Sequence, residues 1–156
     1  MRQEEFVACV EGMERALYRV AKTILRSDAD CADAVQEALL KGLRGAERLR
    51  CQEYFQTWMT RILINTCKDL LRRRKRTTTV ALPESYPAPD GEEQRELYDA
   101  LSAMDEKLRL PLVLHYLEDF SVREIAQMLK TPEGTVKRRL WLARNALRQS
   151  LTEEAI

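Results

Sequence analysis

The sequence predicts an all-α protein of two small helical domains joined by a flexible linker. Apolar residues recur at three- and four-residue spacing, and no stretch alternates apolar and polar residues as a half-buried strand would. The 156 residues include only five glycines and five prolines. Turn-forming residues cluster once, in TTTVALPESYPAPDGEE (77–93), which interrupts any helical period. We therefore expect domains at 1–76 and 94–156, with the linker at 77–93.

Each domain divides into several helical stretches. In the first domain the apolar period runs through 4–26, 30–49 and 53–76. In the second domain it runs through 94–105, 108–118, 122–129 and 133–150. Domains of roughly 75 and 60 residues lie near the lower limit for independent folding. Contacts with a partner, or with each other, would stabilise both.

The net charge of +1 hides an uneven distribution of charge. Residues 1–76 carry 16 Lys and Arg against 11 Asp and Glu, whereas residues 77–100 carry one against six. Residues 101–156 carry nine against eight. A basic first domain followed by an acidic linker is a compositional hint of a polyanionic partner.

The composition disfavours an enzyme and a metalloprotein. The four cysteines, at 9, 31, 51 and 67, are too widely spaced for paired metal or redox motifs, so buried reduced thiols are expected. His115 is the only histidine and lies in the apolar run LPLVLHYL, which favours a core or interface position over a catalytic triad or zinc site. We predict no catalytic residue, metal or cofactor.

The chain also lacks the features of a membrane or exported protein. No run approaches the ~18 apolar residues that a membrane span requires. The N-terminal stretch MRQEEFVACVEGMERAL has acidic residues where a signal peptide needs basic ones. The sequence predicts a cytoplasmic protein with no membrane insertion of its own.

Residues 53–76 predict a helix with one buried face and one basic face. At 100° per residue the buried arc consists of Phe55, Met59, Ile62, Leu63, Thr66 and Leu70. The opposite arc, called here the ridge, consists of Arg61, Asn65, Lys68, Arg72 and Lys75. Like charges at this spacing repel, so the ridge indicates an anionic ligand. The alternative is a solvated face whose last cations complement the helix dipole, which explains 72–76 but not Arg61 and Lys68.

The stretch FSVREIAQMLKTPEGTVKRRLWLARNALRQSL (120–151) predicts a helix-turn-helix. Ser121 and Glu124 form a capping box for the first helix, and Thr131 and Pro132 are predicted as the N-cap and first residue of the second. Lys130 falls at a turn position that requires positive φ. A plain αα-hairpin without DNA binding is the alternative.

The second helix of this motif has a predicted core face and a polar face. The core face consists of Val136, Leu140, Ala143 and Leu147. Candidates for contacts with duplex DNA are Thr135, Lys137, Arg138, Arg139 and Arg144. Trp141 and Leu142 lie off the core face, so we expect a protein partner to cover them.

Three motifs follow one another along the chain: DCADAVQEALL (30–40), WMTRILINTCKDLLRRRK (58–75) and GTVKRRLWLAR (134–144). Together they resemble the extracytoplasmic-function (ECF) sigma factors of bacterial RNA polymerase, within the sigma-70 family. DCADAVQEALL (30–40) resembles the acidic D-x-x-D-x-V-Q-E pattern of that family. WMTRILINTCKDLLRRRK (58–75) resembles its W-[LM]-x-R-I-x-x-N-x-x-x-D-x-x-R-R segment, and GTVKRRLWLAR (134–144) resembles G-T-V-K-S-R-L-x-R-A-R. The resemblance spans about residues 5–151. Arg138 and Leu142 depart from the last pattern, so the groove contacts of this helix are expected to differ in part from those of the family.

The resemblance implies a role for each domain. Region 2 of the family binds the clamp helices of the polymerase β′ subunit, here through Asp33, Gln36, Glu37 and Leu40. Its basic helix opens the minus-ten promoter element, here through Arg61, Asn65, Lys68, Arg72, Arg73 and Lys75. A flipped base would enter a pocket within 44–55. Region 4 reads the minus-thirty-five element and contacts the β flap, and an anti-sigma factor commonly silences the protein.

Two other functions compete with this interpretation. A helix-turn-helix regulator that occupies an operator would explain 120–151 but would leave the ridge and the acidic motif without a role. A small helical hydrolase or transferase would need a phosphate loop, a metal cluster or a nucleophile and base, and the sequence contains none of these.

Overall fold

The computed structural model describes residues 1–50, 52–77 and 92–154, with the backbone alone for 75–77, 92–95, 98 and 152–154. These residues form helices and no strand, which confirms the all-α class. The α-helices of the first unit are α1 (Gln3–Glu11), α2 (Glu14–Leu25), α3 (Asp28–Gly45) and α4 (Phe55–Thr77). Short 3-10 helices span Ala46–Arg48 and Gln52–Tyr54. Those of the second are α5 (Glu92–Ala103), α6 (Glu106–Tyr116), α7 (Val122–Leu129) and α8 (Glu133–Glu154).

The chain divides into two compact units, Met1–Leu82 and Pro83–Ile156. Of the predicted linker, Thr77 ends α4, and residues 92 and 93 begin α5. Residues 78–91, which contain its prolines and Gly91, lie outside the described residues.

The core of the first unit forms where α2, α3 and α4 pack together. Apart from Asp30, the buried residues of α3 are small, namely Cys31, Ala34, Ala38 and Gly42. They let α4 approach closely: a Cβ on Gly42 would lie 2.8 Å from Met59 Sδ and 3.2 Å from the Phe6 ring. The Phe6 and Phe55 rings meet edge to face at 5.6 Å. The close approach positions α4, the helix that carries the ridge.

The buried face predicted for α4 is largely confirmed. Phe55, Met59, Leu63 and Thr66 are buried, whereas Ile62 and Leu70 are only half-buried.

The prediction for the cysteines is confirmed for Cys31 and Cys67, which are buried and free, while Cys9 is half-buried. Burial, together with the Cys31 thiol, raises the pKa of Cys67 to about 12. The Cys67 thiol is therefore an apolar packing group at neutral pH.

A buried lysine closes the turn between α2 and α3. Lys22 is 4% exposed. Its Nζ donates to the Arg26 carbonyl oxygen at 2.7 Å and to Asp28 Oδ1 at 2.5 Å. The Tyr18 hydroxyl donates to the same carboxylate oxygen at 3.0 Å. Because a buried cation is tolerated only when it is paired, Asp28 stabilises the turn, in which Arg26 has a φ of 66°.

This turn predicts a pH dependence of stability. Hydrogen bonds from Lys22 and Tyr18, with the charge of Lys22, hold the pKa of Asp28 below its usual value of 3.8. Such a carboxylate stabilises the fold above its usual pKa, and the effect is lost as the pH falls through the folded-state pKa. We expect Asp28→Asn to lower the free energy of unfolding at pH 7, by an amount that shrinks below about pH 4. Urea unfolding across this range measures the difference, and a pH-independent difference would contradict the assignment.

The second unit packs α5, α6 and α7 around α8. One buried cluster contains Leu101, Met104, Leu112 and Ala143. Val136 and Leu140 are buried as predicted, and Leu147 packs against the cluster while partly exposed. Arg109, only 3% exposed, donates to the Met104 carbonyl just after α5 at 2.8 Å and to the Leu101 carbonyl in the last turn of α5 at 3.4 Å.

His115 lies in the last turn of α6. His115 is half-buried and its Nδ1 lies 2.8 Å from the Phe120 carbonyl, which can only accept, so the ring donates and closes the turn after α6.

Within the described ranges, no group of three or more His, Cys, Asp or Glu side chains could hold a metal ion. In the same ranges, no helix has the length and apolar character needed to cross a membrane.

Candidate nucleic-acid interface

The α4 ridge lies opposite the buried face of the helix. Arg61, Asn65 and Arg72 are exposed, and Lys68 is half-buried. Arg72 forms an ion pair with Asp69 on the same helix at 3.2 Å, with both side chains about half or more exposed. Such a pair is weak and readily exchanged. Lys75 follows in the same helical register, but its side chain lies outside the described residues.

A polar seam runs along α3 and α4 beside the ridge. Lys41 Nζ donates to Thr66 Oγ1 at 3.3 Å, and Glu37 Oε2 accepts from Arg73 Nη2 at 3.4 Å. Further along, Arg74 forms an ion pair with Asp30. The order of these contacts means that the two helices run antiparallel. These pairings could not be predicted from the sequence, because they depend on how the two helices pack against each other.

An open cavity of about 360 Å³ lies at one end of this seam. Its lining residues are Lys41, Gly45, Arg48, Trp58, Ile62, Asn65 and Thr66. The indole of Trp58 is half-buried, and a Cβ on Gly45 would lie 3.3 Å from it, so the glycine keeps this aromatic wall open. The cavity thus combines an aromatic surface, an amide and two cations.

The predicted base pocket within 44–55 coincides with this cavity only in part. Gly45 and Arg48 come from that segment, and the other lining residues belong to α3 and α4. Cys51 lies outside the described residues. Asn65 contributes both to the cavity and to the ridge, which makes the two surfaces continuous.

A second polar surface lies on α3 and is called here the α3 patch. Asp33, Gln36 and Leu40 are exposed, Leu40 by 56%. Glu37 is half-buried because it also pairs with Lys41 at 3.4 Å and with Arg73. The patch therefore offers one exposed apolar side chain among acidic and amide groups.

The helix-turn-helix has the predicted capping box and strained turn. Ser121 Oγ accepts from the Glu124 N–H at 3.1 Å, and Glu124 Oε1 accepts from the Ser121 N–H at 3.0 Å. Lys130 has a φ of 52°, and the Thr131 N–H bonds back to the Ala126 carbonyl at 3.0 Å. This ends α7 sharply and directs the chain into α8.

The predicted start of α8 is wrong by one residue. The Pro132 carbonyl accepts from the Val136 N–H at 3.2 Å, so Pro132 occupies the cap position and Glu133 is the first helical residue. The Thr131 hydroxyl instead donates to the Leu129 carbonyl at 3.0 Å. Thr131 therefore completes the end of α7, because its hydroxyl finds an acceptor there.

The candidate DNA contacts of α8 do not all share one environment. Lys137 and Arg138 are exposed, and Thr135 and Arg139 are half-buried. Arg144 is exposed, but its Nη1 donates to the Tyr116 hydroxyl on α6 at 2.6 Å. Arg144 thus lies at the α6 side of the helix.

An apolar groove of about 270 Å³ lies in the second unit among α5, α6 and α8. Its residues are Leu97, Leu101, Leu112, Val113, Tyr116, Leu117, Arg144 and Leu147. Tyr116 and Leu117 are nearly half exposed. On α8, Trp141 is 57% and Leu142 38% exposed, as predicted. This unit therefore presents exposed apolar side chains at the end of α6 and on α8.

Comparison with known proteins identifies the class to which this arrangement belongs. The family model for Sigma-70 region 2 matches residues 9–77, and that for Sigma-70 region 4 matches residues 94–147. The chain therefore belongs to the sigma-70 family, as an ECF RNA polymerase sigma factor.

Individual relatives agree with this assignment. The chain is 36% identical over 141 residues to the ECF RNA polymerase sigma factor SigM of Mycobacterium tuberculosis, covering 88% of this chain and 72% of SigM. It is 30% identical over 154 residues to the ECF RNA polymerase sigma-E factor of Escherichia coli, covering 85% and 81% of the two chains. RNA polymerase sigma factor SigV of Bacillus subtilis is 29% identical over 152 residues, with 95% and 92% covered.

Two solved structures share the fold at 23% identity. The sigma factor RpoE of Bartonella quintana, in complex with the anti-sigma factor NepR, has a TM-score of 0.81 and covers 96% of this chain and 95% of its own. CnrH, in complex with the cytosolic domain of CnrY, has a TM-score of 0.73, with 97% and 90% covered.

Proposed function

We propose that this sigma factor joins core RNA polymerase, aligns its two units on two promoter elements, and opens the upstream edge of the transcription bubble. The chain supplies promoter recognition, and the polymerase catalyses RNA synthesis. Because it acts together with the polymerase, its proposed place of action is the cytoplasm. The observation that carries the proposal is the continuity of the α4 ridge with the Trp58 cavity through Asn65.

The ridge and cavity suit one separated DNA strand. An extruded base can stack on Trp58 and bond to the Asn65 amide, while Lys41 and Arg48 stand beside its phosphates. The ridge cations then follow the backbone of the same strand, an interaction that weakens steeply with salt. Arg73 joins them by exchanging its exposed, weak pair with Glu37 for a phosphate.

The α3 patch suits a basic helical partner, and the β′ clamp helices are the proposed one. Leu40 provides an apolar anchor, and Asp33, Gln36 and Glu37 surround it with acceptors. The β flap is the corresponding partner of the second unit.

The helix-turn-helix is proposed to read the minus-thirty-five element as duplex. The exposed Lys137 and Arg138, with Thr135 and Arg139 beside them, can reach phosphates and base edges from the front of α8. Arg144 contributes to this surface by contacting backbone phosphate, since its hydrogen bond to Tyr116 uses only part of the guanidinium.

The exposed apolar side chains of α8 support an anti-sigma factor as a further partner. Trp141 and Leu142 could be covered by such a protein, and RpoE and CnrH are both seen with partners of their own. We expect Trp141→Ala to weaken binding of the cognate anti-sigma factor by about 10-fold or more, since a tryptophan that becomes buried on binding is a common hot spot. Isothermal titration measures the affinity.

Leu151→Ala is the matched control, because Leu151 is another exposed apolar residue of α8, ten positions further on. Equal affinities for the Trp141→Ala variant and the unchanged protein would remove the main support for this surface.

The whole proposal is tested by mixing the protein with bacterial core polymerase and a library of random promoter fragments. Sequencing of the transcripts is expected to reveal two common elements separated by a fixed spacing. An operator-binding regulator would instead bind one duplex site tightly without polymerase and would yield no transcript. That outcome would replace the sigma-factor mechanism by the competing one.

A further inference from the structure

Three consecutive arginines near the end of α4 have three different acidic partners. Arg72 pairs with Asp69, Arg73 with Glu37, and Arg74 with Asp30. The partners differ in burial: the side chains of Asp69 and Glu37 are 49% and 39% exposed, whereas that of Asp30 is only 11% exposed. The run of like charges is therefore not one uniform basic surface.

The Asp30 carboxylate is largely buried, so its charge depends on the ion pair with Arg74 for stabilisation. It lies in the first turn of α3, after the N-cap Ser27, whose Oγ accepts from the Asp30 backbone at 3.4 Å. The positive end of the helix dipole favours a carboxylate there, but burial removes most of its water. Moving Arg74 to a phosphate would leave this carboxylate unpaired and buried, whereas Arg72 can exchange its exposed pair at little cost.

The clasp between Asp30 and Arg74 also determines where the ridge points. Residues 72 and 74 lie about 200° apart around a helix, so a side chain at 74 that reaches α3 turns residue 72 away from α3. Arg74 is in the last full turn of α4, where an unsupported helix end frays. A fixed last turn keeps Arg72 in line with Arg61 and Lys68.

We propose that Arg74 is a positioning residue: Asp30 holds it, and the clasp directs the C-terminal half of the ridge at the separated DNA strand. This inference rests on the proposed function, because it concerns how the ridge meets DNA. It assigns Asp30 and Arg74 to the support of the interface, and leaves phosphate contact to Arg73 and the cations of the ridge.

The direction in which one substitution changes DNA affinity distinguishes a positioning role from a direct phosphate contact. Asp30→Asn removes a negative charge, which by simple electrostatics would strengthen DNA binding. If the clasp positions the ridge, binding weakens instead. We expect the affinity of the holoenzyme for a promoter selected from the library to fall about fivefold, the effect of one partly exposed charged hydrogen bond, with affinity for core polymerase unchanged. Glu11→Gln, an exposed change of equal charge at the end of α1, is expected to change neither affinity.

The salt dependence supplies an independent measurement. For Arg74→Gln we expect the same loss of affinity as for Asp30→Asn, no further loss in the double variant, and an unchanged slope of log affinity against log salt. For Arg72→Gln the slope is expected to fall by about 0.7, the value for one phosphate of a single strand. Arg74→Lys, which keeps a cation for Asp30, is expected to retain most of the binding.

Tighter or unchanged binding by Asp30→Asn, or a slope lowered by about 0.7 in Arg74→Gln, would overturn the positioning role. Arg74 is half exposed, so its variants are expected to fold even if Asp30→Asn does not, and circular dichroism checks this. Failure of the unchanged holoenzyme to select any promoter would refute the proposed function itself, which is a distinct outcome.

Discussion

Promoter opening is expected to be lost when the cations of the α4 ridge are neutralised together. The four changes are Arg61→Gln, Lys68→Gln, Arg72→Gln and Lys75→Gln. At about 1 kcal/mol for each phosphate contact, the affinity of the holoenzyme for an opened promoter should fall by roughly 10³-fold. The slope of log affinity against log salt should decrease by about 3. Permanganate footprinting measures opening, and fluorescence anisotropy on a pre-melted promoter measures affinity.

A charge-matched variant keeps this result interpretable. It neutralises four exposed cations that lie off the ridge, namely Arg2, Arg15, Arg19 and Lys107. We expect this variant to open the promoter nearly as well as the unchanged protein, and both variants to bind core polymerase equally. If the ridge variant still forms a bubble, the role of α4 in strand separation is wrong.

The second large effect is expected at the α3 patch. Leu40→Asp places a charge where the proposed partner helix would cover an apolar side chain, so affinity for core polymerase should fall by about 100-fold. Because the Leu40 side chain is 56% exposed in the free protein, the fold itself should be nearly unaffected. Surface plasmon resonance with immobilised core polymerase measures the binding, and thermal melting measures the stability.

Val7→Asp is the control for this change, since Val7 is a 47% exposed aliphatic residue on α1, outside the patch. We expect it to bind core polymerase normally. Equal affinities for the Leu40→Asp and Val7→Asp variants would show that core binding does not use this patch.

Periodicity predicted the all-α class, most of the buried face of α4 and the exposed positions of Arg61 and Arg72, but not the break between α1 and α2 within the stretch 4–26. These features follow from the 3.6 residues per turn of an α-helix, which a helix-forming sequence shows as a local spacing of apolar residues. The same reasoning predicted the capping box at Ser121 and the positive φ of Lys130, because both depend on bonds within a few residues. It was wrong by one residue at Pro132, since the competing acceptor for the Thr131 hydroxyl lies on the preceding helix.

The cavity could be predicted only in outline. Gly45 and Arg48 lie in the segment expected to form a base pocket, but Lys41 and Thr66 enter it from α3 and α4. Buried cations were missed for the same reason. Nothing in the sequence around Lys22 distinguishes it from an ordinary surface lysine, because its burial depends on the folded turn. The burial of Arg109 could have been predicted, because it is the one cation in the apolar run LRLPLVL.

The sequence by itself determined the class of protein, its division into two helical units, and the face of each helix that carries charge. Only the tertiary structure decided which charges are committed to partners, as for Arg74 on Asp30, and which remain exchangeable, as for Arg72. The physical reason is that helical geometry alone fixes the angle of each residue around the helix axis, so the charged face of a helix can be predicted from the sequence. The depth and identity of their partners depend on the rotation and axial shift of the neighbouring helix, which small residues such as Gly42 set by allowing close packing.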